Sequence, residues 1–265
     1  MNYPHRARRR FGQNFLVDRD IIQQIVSVIA PRPEDRLVEI GPGRGALTKL
    51  LLSVNPNLTA LEIDRDLIAL LQRAFPDLNI QEADALQFDF ARFAESASRH
   101  QKLRIIGNLP YNISTPLLFH LLDYRDSIED MHFMLQKEVV DRLGAVPGQK
   151  AYGRLSIMIQ YFCQVMPLFE VPPDAFQPAP KVISAVVRIK PYQKIPYSAC
   201  NPLNLSKLVN LCFQQRRKTL RNCLKPLLKD RKLVQSVDLN LRPEQLTIDQ
   251  YAALCNELYP YDATD

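Results

Sequence analysis

The sequence contains no run of apolar residues long enough to cross a bilayer, which argues against a helical membrane protein. Hydrophobic residues nevertheless make up 46%, too many for a disordered chain. There is no C-x-x-C pair, and the five cysteines (Cys163, Cys200, Cys212, Cys223, Cys255) are an odd number with no histidine at metal-ligand spacing. They read as reduced thiols of a cytoplasmic protein, most of them packing residues, and no metal is expected. The basic start, Met1 to Arg10, is not followed by an apolar h-region, which argues against a secretory signal. A mitochondrial presequence fits poorly because patterned sequence begins at Phe11. No internal repeat and no low-complexity tract is present. What is there suffices for one large α/β domain and a smaller one: 265 residues with a formal charge of +6, a balance that favours an anionic partner such as nucleic acid.

Arg6, Arg8, Arg9 and Arg10 form a basic arm, a candidate phosphate contact, leading into Phe11-Gly12-Gln13-Asn14-Phe15-Leu16. A helix follows, capped by Asp18 or Asp20, with Ile21, Ile22, Ile25, Val26 and Ile29 on one face and Pro31 and Pro33 ending it. Arg36 to Ile40 reads as a buried strand running into Gly41-Pro42-Gly43-Arg44-Gly45 and then a helix. This order brings bare backbone N–H groups to a ligand at a helix N-terminus. A second strand, Leu58 to Ile63, carries Glu62 at the distance downstream where an acid meets ribose hydroxyls, and a third apolar-acidic segment, Leu78 to Glu82, leads to Asp84. The glycines are spaced G-x-G-x-G and preceded by Glu39, unlike the G-x-G-x-x-G of dinucleotide folds.

The strand Leu103 to Ile106 stops at Gly107-Asn108-Leu109-Pro110-Tyr111-Asn112. Asn108, Leu109, Pro110 and Tyr111 offer an amide carbonyl, stiffened backbone carbonyls and a flat ring within a few residues. Two acceptors and a stacking surface suit the exocyclic amino group of a nucleobase; the simpler alternative is a Pro turn into a helix at Ser114. His120 inside that helix reads as a packing residue. Met131 to Gln136 is a fifth strand, and Gly144 to Gly153 a loop that suggests a lid facing RNA. The proline-rich stretch Val171 to Lys181 presents one exposed-looking aromatic, Phe176, placed to stack on the second face of a base held against Tyr111. Residues 191–202 read as a linker between a catalytic domain, 1–190, and a helical domain, 203–265. Phe213 through Lys232 holds eight cations against the single acid Asp230, with Arg217, Arg221 and Lys225 spaced four apart on one helical face, a candidate RNA-binding surface.

The glycine loop resembles the first motif of S-adenosylmethionine-dependent methyltransferases. With Gly12 to Leu16, Glu62, Asp84, Asn108 to Tyr111, Phe176 with Pro178, Pro180 and Lys181, and Gln215 to Lys218, nearly the whole chain resembles the ribosomal RNA adenine N6-dimethyltransferase family, most closely its bacterial branch acting on 16S rRNA. The resemblance implies an α/β Rossmann-like methyltransferase sheet with a smaller C-terminal all-helical domain. It implies that Gly41 and Gly43 lie under the methionine moiety of S-adenosylmethionine, Glu62 holds the ribose, Asp84 meets the adenine amino group, and Asn14, Leu16 and Asn108 add contacts. It further implies dimethylation of two adjacent adenosines in the 3′-terminal hairpin loop of 16S rRNA in a pre-assembled small ribosomal subunit, by a monomer without membrane attachment. Three competitors remain: family members acting on large-subunit rRNA, adenine-N6 DNA methyltransferases, which commonly carry an acid at the head of the tetrad, and a binding-only assembly or transcription factor on the same fold.

Overall fold

Short apolar runs alternating with amphipathic stretches build a mostly parallel sheet, because parallel neighbours need a crossover helix between them. The computed structural model describes residues 14–95, 101–198, 200–228 and 235–259. The basic arm, with Phe11, Gly12 and Gln13, and the Lys229 to Lys232 end of the cationic run lie outside these residues. The described chain forms two compact units, residues 1–140 with 166–191, and residues 141–165 with 192–265.

In the first unit, β2 (Arg36–Ile40), β3 (Thr59–Glu62), β4 (Asn79–Glu82), β5 (Leu103–Asn108) and β6 (Ile128–Gln136) pair in parallel in the order β4-β3-β2-β5-β6, and β9 (Ser184–Pro191) adds antiparallel to β6. β7 (Cys163–Val171) closes the far edge. The chain runs outward from β2 to β4 and then returns to the other side of β2 with β5, so the strand order reverses between β2 and β5. Ligands of open α/β sheets bind at the carboxyl ends of strands at such a reversal. Among the helices, α1 (Arg19–Ile29) is capped by Asp18, whose side chain accepts from Asp20 N and Ile21 N, and buries Ile25 and Ile29. α2 (Thr48–Val54) follows the glycine loop, α3 (Arg65–Ala74) follows β3, α4 (Phe90–Glu95) precedes β5 and α5 (Ser114–Asp123) follows it. His120 on α5 is a packing residue: its Nε2 lies 3.0 Å from Phe88 O and its ring meets Phe90 and Tyr124 edge-on.

A two-residue strand, β1 (Phe15–Leu16), pairs with β8 (Phe176–Gln177), Leu16 opposite Phe176. The exposed aromatic expected at 176 is a buried one. Phe176 is 5% exposed and packs in the core that includes Leu16, Ile25, Met134, Val171 and Val186. Pairing with β1 turns it inward, a long-range constraint absent from the local composition.

α6 (Lys137–Leu143) leads from the first unit into the second, which contains α7 (Arg154–Phe162), α8 (Pro202–Gln214), α9 (Leu220–Cys223) and α10 (Ile248–Leu258). Residues 141–165, assigned to the first domain from the sequence, cluster here because α7 is apolar around most of its circumference, burying Leu155, Ile157, Met158, Ile159, Tyr161 and Phe162. The loop expected to be a lid is tied down: Gly148 N donates to Glu244 O at 2.7 Å and the buried Tyr152 hydroxyl to Leu246 O at 3.0 Å. All five cysteines are buried. The continuous helix expected from Phe213 is also interrupted. α8 ends at Gln214, Thr219 is extended (φ −68°, ψ 157°), and Pro226, lacking an N–H, bars continuation beyond α9. Arg217 therefore sits in a turn, Arg221 on α9 and Lys225 after it; all three are exposed, but they do not share one helical face.

Candidate active site

A cavity of about 300 Å³ opens at the carboxyl ends of β2, β3 and β5, within the size range of small-molecule sites. Register brings its walls together: Ile40 of β2 lies opposite Gly107 of β5 and Leu61 of β3, so the glycine loop, Asn108 and Glu62 emerge side by side. Gly107 is demanded by that approach, since a Cβ there would stand 2.8 Å from Ile40 O. On the loop Gly43 carries φ +59°, and a side chain would press on the Phe15 ring at 3.2 Å. β1 thus lies over the glycine loop, with the Arg44 guanidinium 4.4 Å from the Phe15 ring centre.

Glu62 is 6% exposed and accepts Ile63 N at 2.9 Å and Asp64 N at 3.0 Å through one oxygen. Burial holds its carboxyl above the usual range, although these N–H groups and that of Gly43 pull it down. Asp84 caps the turn after β4, taking Leu86 N at 2.9 Å and the exposed Gln87 amide at 3.1 Å. Between the acids stands Ile63, 48% exposed and on the cavity wall, an apolar edge for a flat ring.

Asn108 is oriented by a partner far away in sequence. Its Nδ2 donates to Asn14 O at 3.1 Å, which leaves Oδ1 as an acceptor. Of the two backbone carbonyls next to it, that of Pro110 accepts Ile113 N at 3.1 Å in the turn into α5. The Leu109 carbonyl takes no hydrogen bond among the described residues, so its lone pairs stay open. The Tyr111 hydroxyl lies 2.9 Å from Ser184 Oγ on β9, which fixes the ring. Burial raises the Tyr111 phenol and the Ser184 bond offsets this only in part, so the ring stays neutral near pH 7.

The cavity wall therefore includes Asn14, Leu16, Gly41, Gly43, Glu62, Asp84 and Asn108 to Tyr111 together, but not Phe176. Sequence reasoning left Glu39, Ile63 and Ser184 without a role. For Glu39 a signal existed, an acid inside an apolar strand, and for Ile63 an aliphatic side chain between two acids. Ser184 gave none, because its partner is 73 residues away.

The arrangement fits S-adenosylmethionine: backbone N–H groups of a positive-φ loop, buried acids for a ribose diol and a cationic end, and an apolar edge for adenine. No group of three or more side chains suited to a metal ion occurs among the described residues. Sheet order and site together define a Rossmann-like S-adenosylmethionine-dependent methyltransferase. Residues 4–259 match the model of the ribosomal RNA adenine dimethylase family, and the chain belongs to that family. It is 54% identical over 260 residues to the ribosomal RNA small subunit methyltransferase A of Saccharophagus degradans, covering 97% of this chain and 96% of that one. The protein of the same name from Marinobacter nauticus is 53% identical, over 96% of this chain and 92% of its own. A dimethyladenosine transferase from Plasmodium falciparum shares the fold, with a TM-score of 0.72 at 24% identity over 91% of this chain and 95% of that one.

Proposed function

We propose that this chain methylates N6 of two adjacent adenosines in the 3′-terminal hairpin loop of 16S rRNA, dimethylating each, during maturation of the small ribosomal subunit. The observation that carries the reading is the pairing of a free amide oxygen on Asn108 with the unused Leu109 carbonyl at the rim of a cavity suited to S-adenosylmethionine.

When bound, S-adenosylmethionine supplies an electrophilic methyl group. The chain's task is to make a poor nucleophile attack it. The adenine N6 lone pair is delocalised into the ring until the amine is drawn towards tetrahedral geometry. Asn108 Oδ1 and Leu109 O accept its two hydrogens, and both oxygens stabilise the positive charge that develops on nitrogen as the N–CH3 bond forms and the S–CH3 bond breaks; the thioether is the leaving group and the surplus N6 proton passes to water. Tyr111 offers its face to the base and recovers part of the unstacking cost. Positioning carries most of the rate. Because a neutral amide accepts without adding charge, N6-monomethyladenine, with one donor hydrogen, is still admitted for a second transfer. Phe176 supports this site by packing under the β1–β8 pair.

Arg217, Arg221 and Lys225 serve as phosphate contacts; they are exposed, and none forms an ion pair among the described residues. The protein acts as a cytoplasmic monomer on 16S rRNA in a pre-assembled small subunit. The test is to incubate it with labelled S-adenosylmethionine and either unmethylated small subunits or large-subunit rRNA, digest the RNA and chromatograph the nucleosides. Label in N6,N6-dimethyladenosine from small subunits alone is expected. Label from large-subunit RNA alone, or from neither, contradicts the reading.

A further inference from the structure

Two carboxylates end neighbouring strands on the cavity wall, Glu39 on β2 at 2% exposure and Glu62 on β3 at 6%. Among the described residues no cationic side chain acts on either. A buried acid is ordinarily either paired or neutral, and no countercharge stands beside either of these among the described residues, so a cationic ligand is suited to supply it. The two acids differ in how the fold supports them. Glu62 is met by backbone N–H groups from Ile63 and Asp64. Glu39 receives one hydroxyl only, Thr48 Oγ1 on Oε2 at 2.7 Å. Its Oε1 has no hydrogen bond among the described residues and is not sealed from solvent, so it opens on the cavity that Glu39 lines.

We propose that Glu39 is the charge partner of the cationic methionyl end of S-adenosylmethionine, and that it takes up its negative charge only as the cofactor enters, releasing a proton to solvent. The inference rests on the cofactor reading of this cavity and adds to it a residue that senses ligand charge. The balance is simple: a neutral carboxyl loses its proton to the buffer, and the resulting carboxylate stays beside a ligand whose sulfonium and ammonium groups are both positive.

The electrostatics of the chain alone agree. Burial pushes the Glu39 carboxyl up to about 7; the Thr48 hydroxyl opposes this and the neighbouring Glu62 charge adds to it. The other described groups on the wall do not supply the charge. Asn108 to Tyr111 of β5 and the turn after it are neutral near pH 7, Asp64 beside Glu62 is a further anion, and the Arg44 guanidinium lies over the Phe15 ring. A cation arriving next to Glu39 Oε1 lowers its pKa. By linkage, affinity for the cofactor then rises about tenfold from pH 6 to pH 8. 5′-Methylthioadenosine has the same nucleoside but no charged amino-acid end, so it binds without this pH dependence.

Titration calorimetry at pH 7 in two buffers of different ionisation heat tests the proposal on the full chain. Wild type should release roughly half a proton per S-adenosylmethionine bound and none on binding 5′-methylthioadenosine. Glu39→Gln should abolish the release, weaken S-adenosylmethionine binding and still bind 5′-methylthioadenosine, which controls for folding. Cofactor binding without proton release, or undiminished release from Glu39→Gln, overturns the proposal. If that variant does not fold, the wild-type ratio of the two affinities decides: a ratio that is flat from pH 6 to pH 8 overturns it. Failure of S-adenosylmethionine to bind at all would overturn the cofactor reading itself.

Discussion

The proposed reactive geometry depends on pairs of residues that meet only in the folded chain. Asn108 is aimed by the Asn14 carbonyl and Tyr111 by Ser184, contacts that span 94 and 73 residues. That the tetrad Asn108 to Tyr111 stands together on the cavity wall was legible, because its four residues are contiguous and follow a strand end. Its supports were not, since neither Asn14 as a backbone acceptor nor Ser184 differs locally from ordinary loop and strand residues. If Ser184 acts through the Tyr111 hydroxyl, Ser184→Ala and Tyr111→Phe should each lower kcat several-fold, by the roughly 1 kcal/mol typical of a neutral hydrogen bond. The double variant should be no worse than either single one. Additive losses in kcat would show that Ser184 contributes by another route.

At the scale of elements, the strands, their order of acids and the glycine turn follow from hydrophobic runs and punctuation. Phe176 shows where such reading stops. A proline-rich stretch is extended by composition, but which face it buries was settled by a two-residue pairing with β1. The cationic run shows the same limit: spacing by fours assumed one helix, whereas Thr219 and Pro226 divide it. Removing the buried Phe176 ring by Phe176→Ala should cost about 3–5 kcal/mol of stability by thermal or urea unfolding. Phe176→Leu should retain most of it. A Phe176→Ala protein as stable as wild type would contradict the packing role.

For the molecule as a whole, a second charged cluster lies at the opposite, amino-terminal end of the same sheet, and it belongs to stability. Arg104 binds Asp35 at 2.6 Å and Asp130 at 2.9 Å, and Arg188 reaches Asp130 at 2.9 Å. Burial would raise the Asp130 carboxyl, but the Arg104 and Arg188 guanidinium groups hold it below the usual range. His132 is 3% exposed with neither ring nitrogen hydrogen-bonded, and burial takes its pKa from 6.5 down to about 4 despite Asp130. The unfolded chain therefore binds a proton at His132 that the folded chain refuses. Stability is lost as pH falls from 6.5 to about 4, by at most about 3 kcal/mol. Glu39, raised to about 7, has the opposite sign over this window. The readout is accordingly the difference between wild type and His132→Phe, which should grow in favour of the variant as pH falls; a difference independent of pH would contradict the assignment. The division into two units was only partly visible in the sequence, because an apolar helix such as α7 carries no label for the core it joins.

In the proposed mechanism one amide and one carbonyl turn a cofactor cavity into an adenine N6 methyltransferase. The mechanism is tested most directly by mapping reverse-transcription stops on unmethylated small subunits treated with wild type or Asn108→Ala, with S-adenosylmethionine affinity measured in parallel. N6,N6-dimethylation blocks base pairing and halts the transcriptase. Wild type should produce stops at two adjacent adenosines near the 3′ end of 16S rRNA. Asn108→Ala should bind the cofactor nearly as well while methylating about 10²-fold more slowly. Equal stops from both proteins, or a loss of methylation explained entirely by lost cofactor binding, would contradict the account.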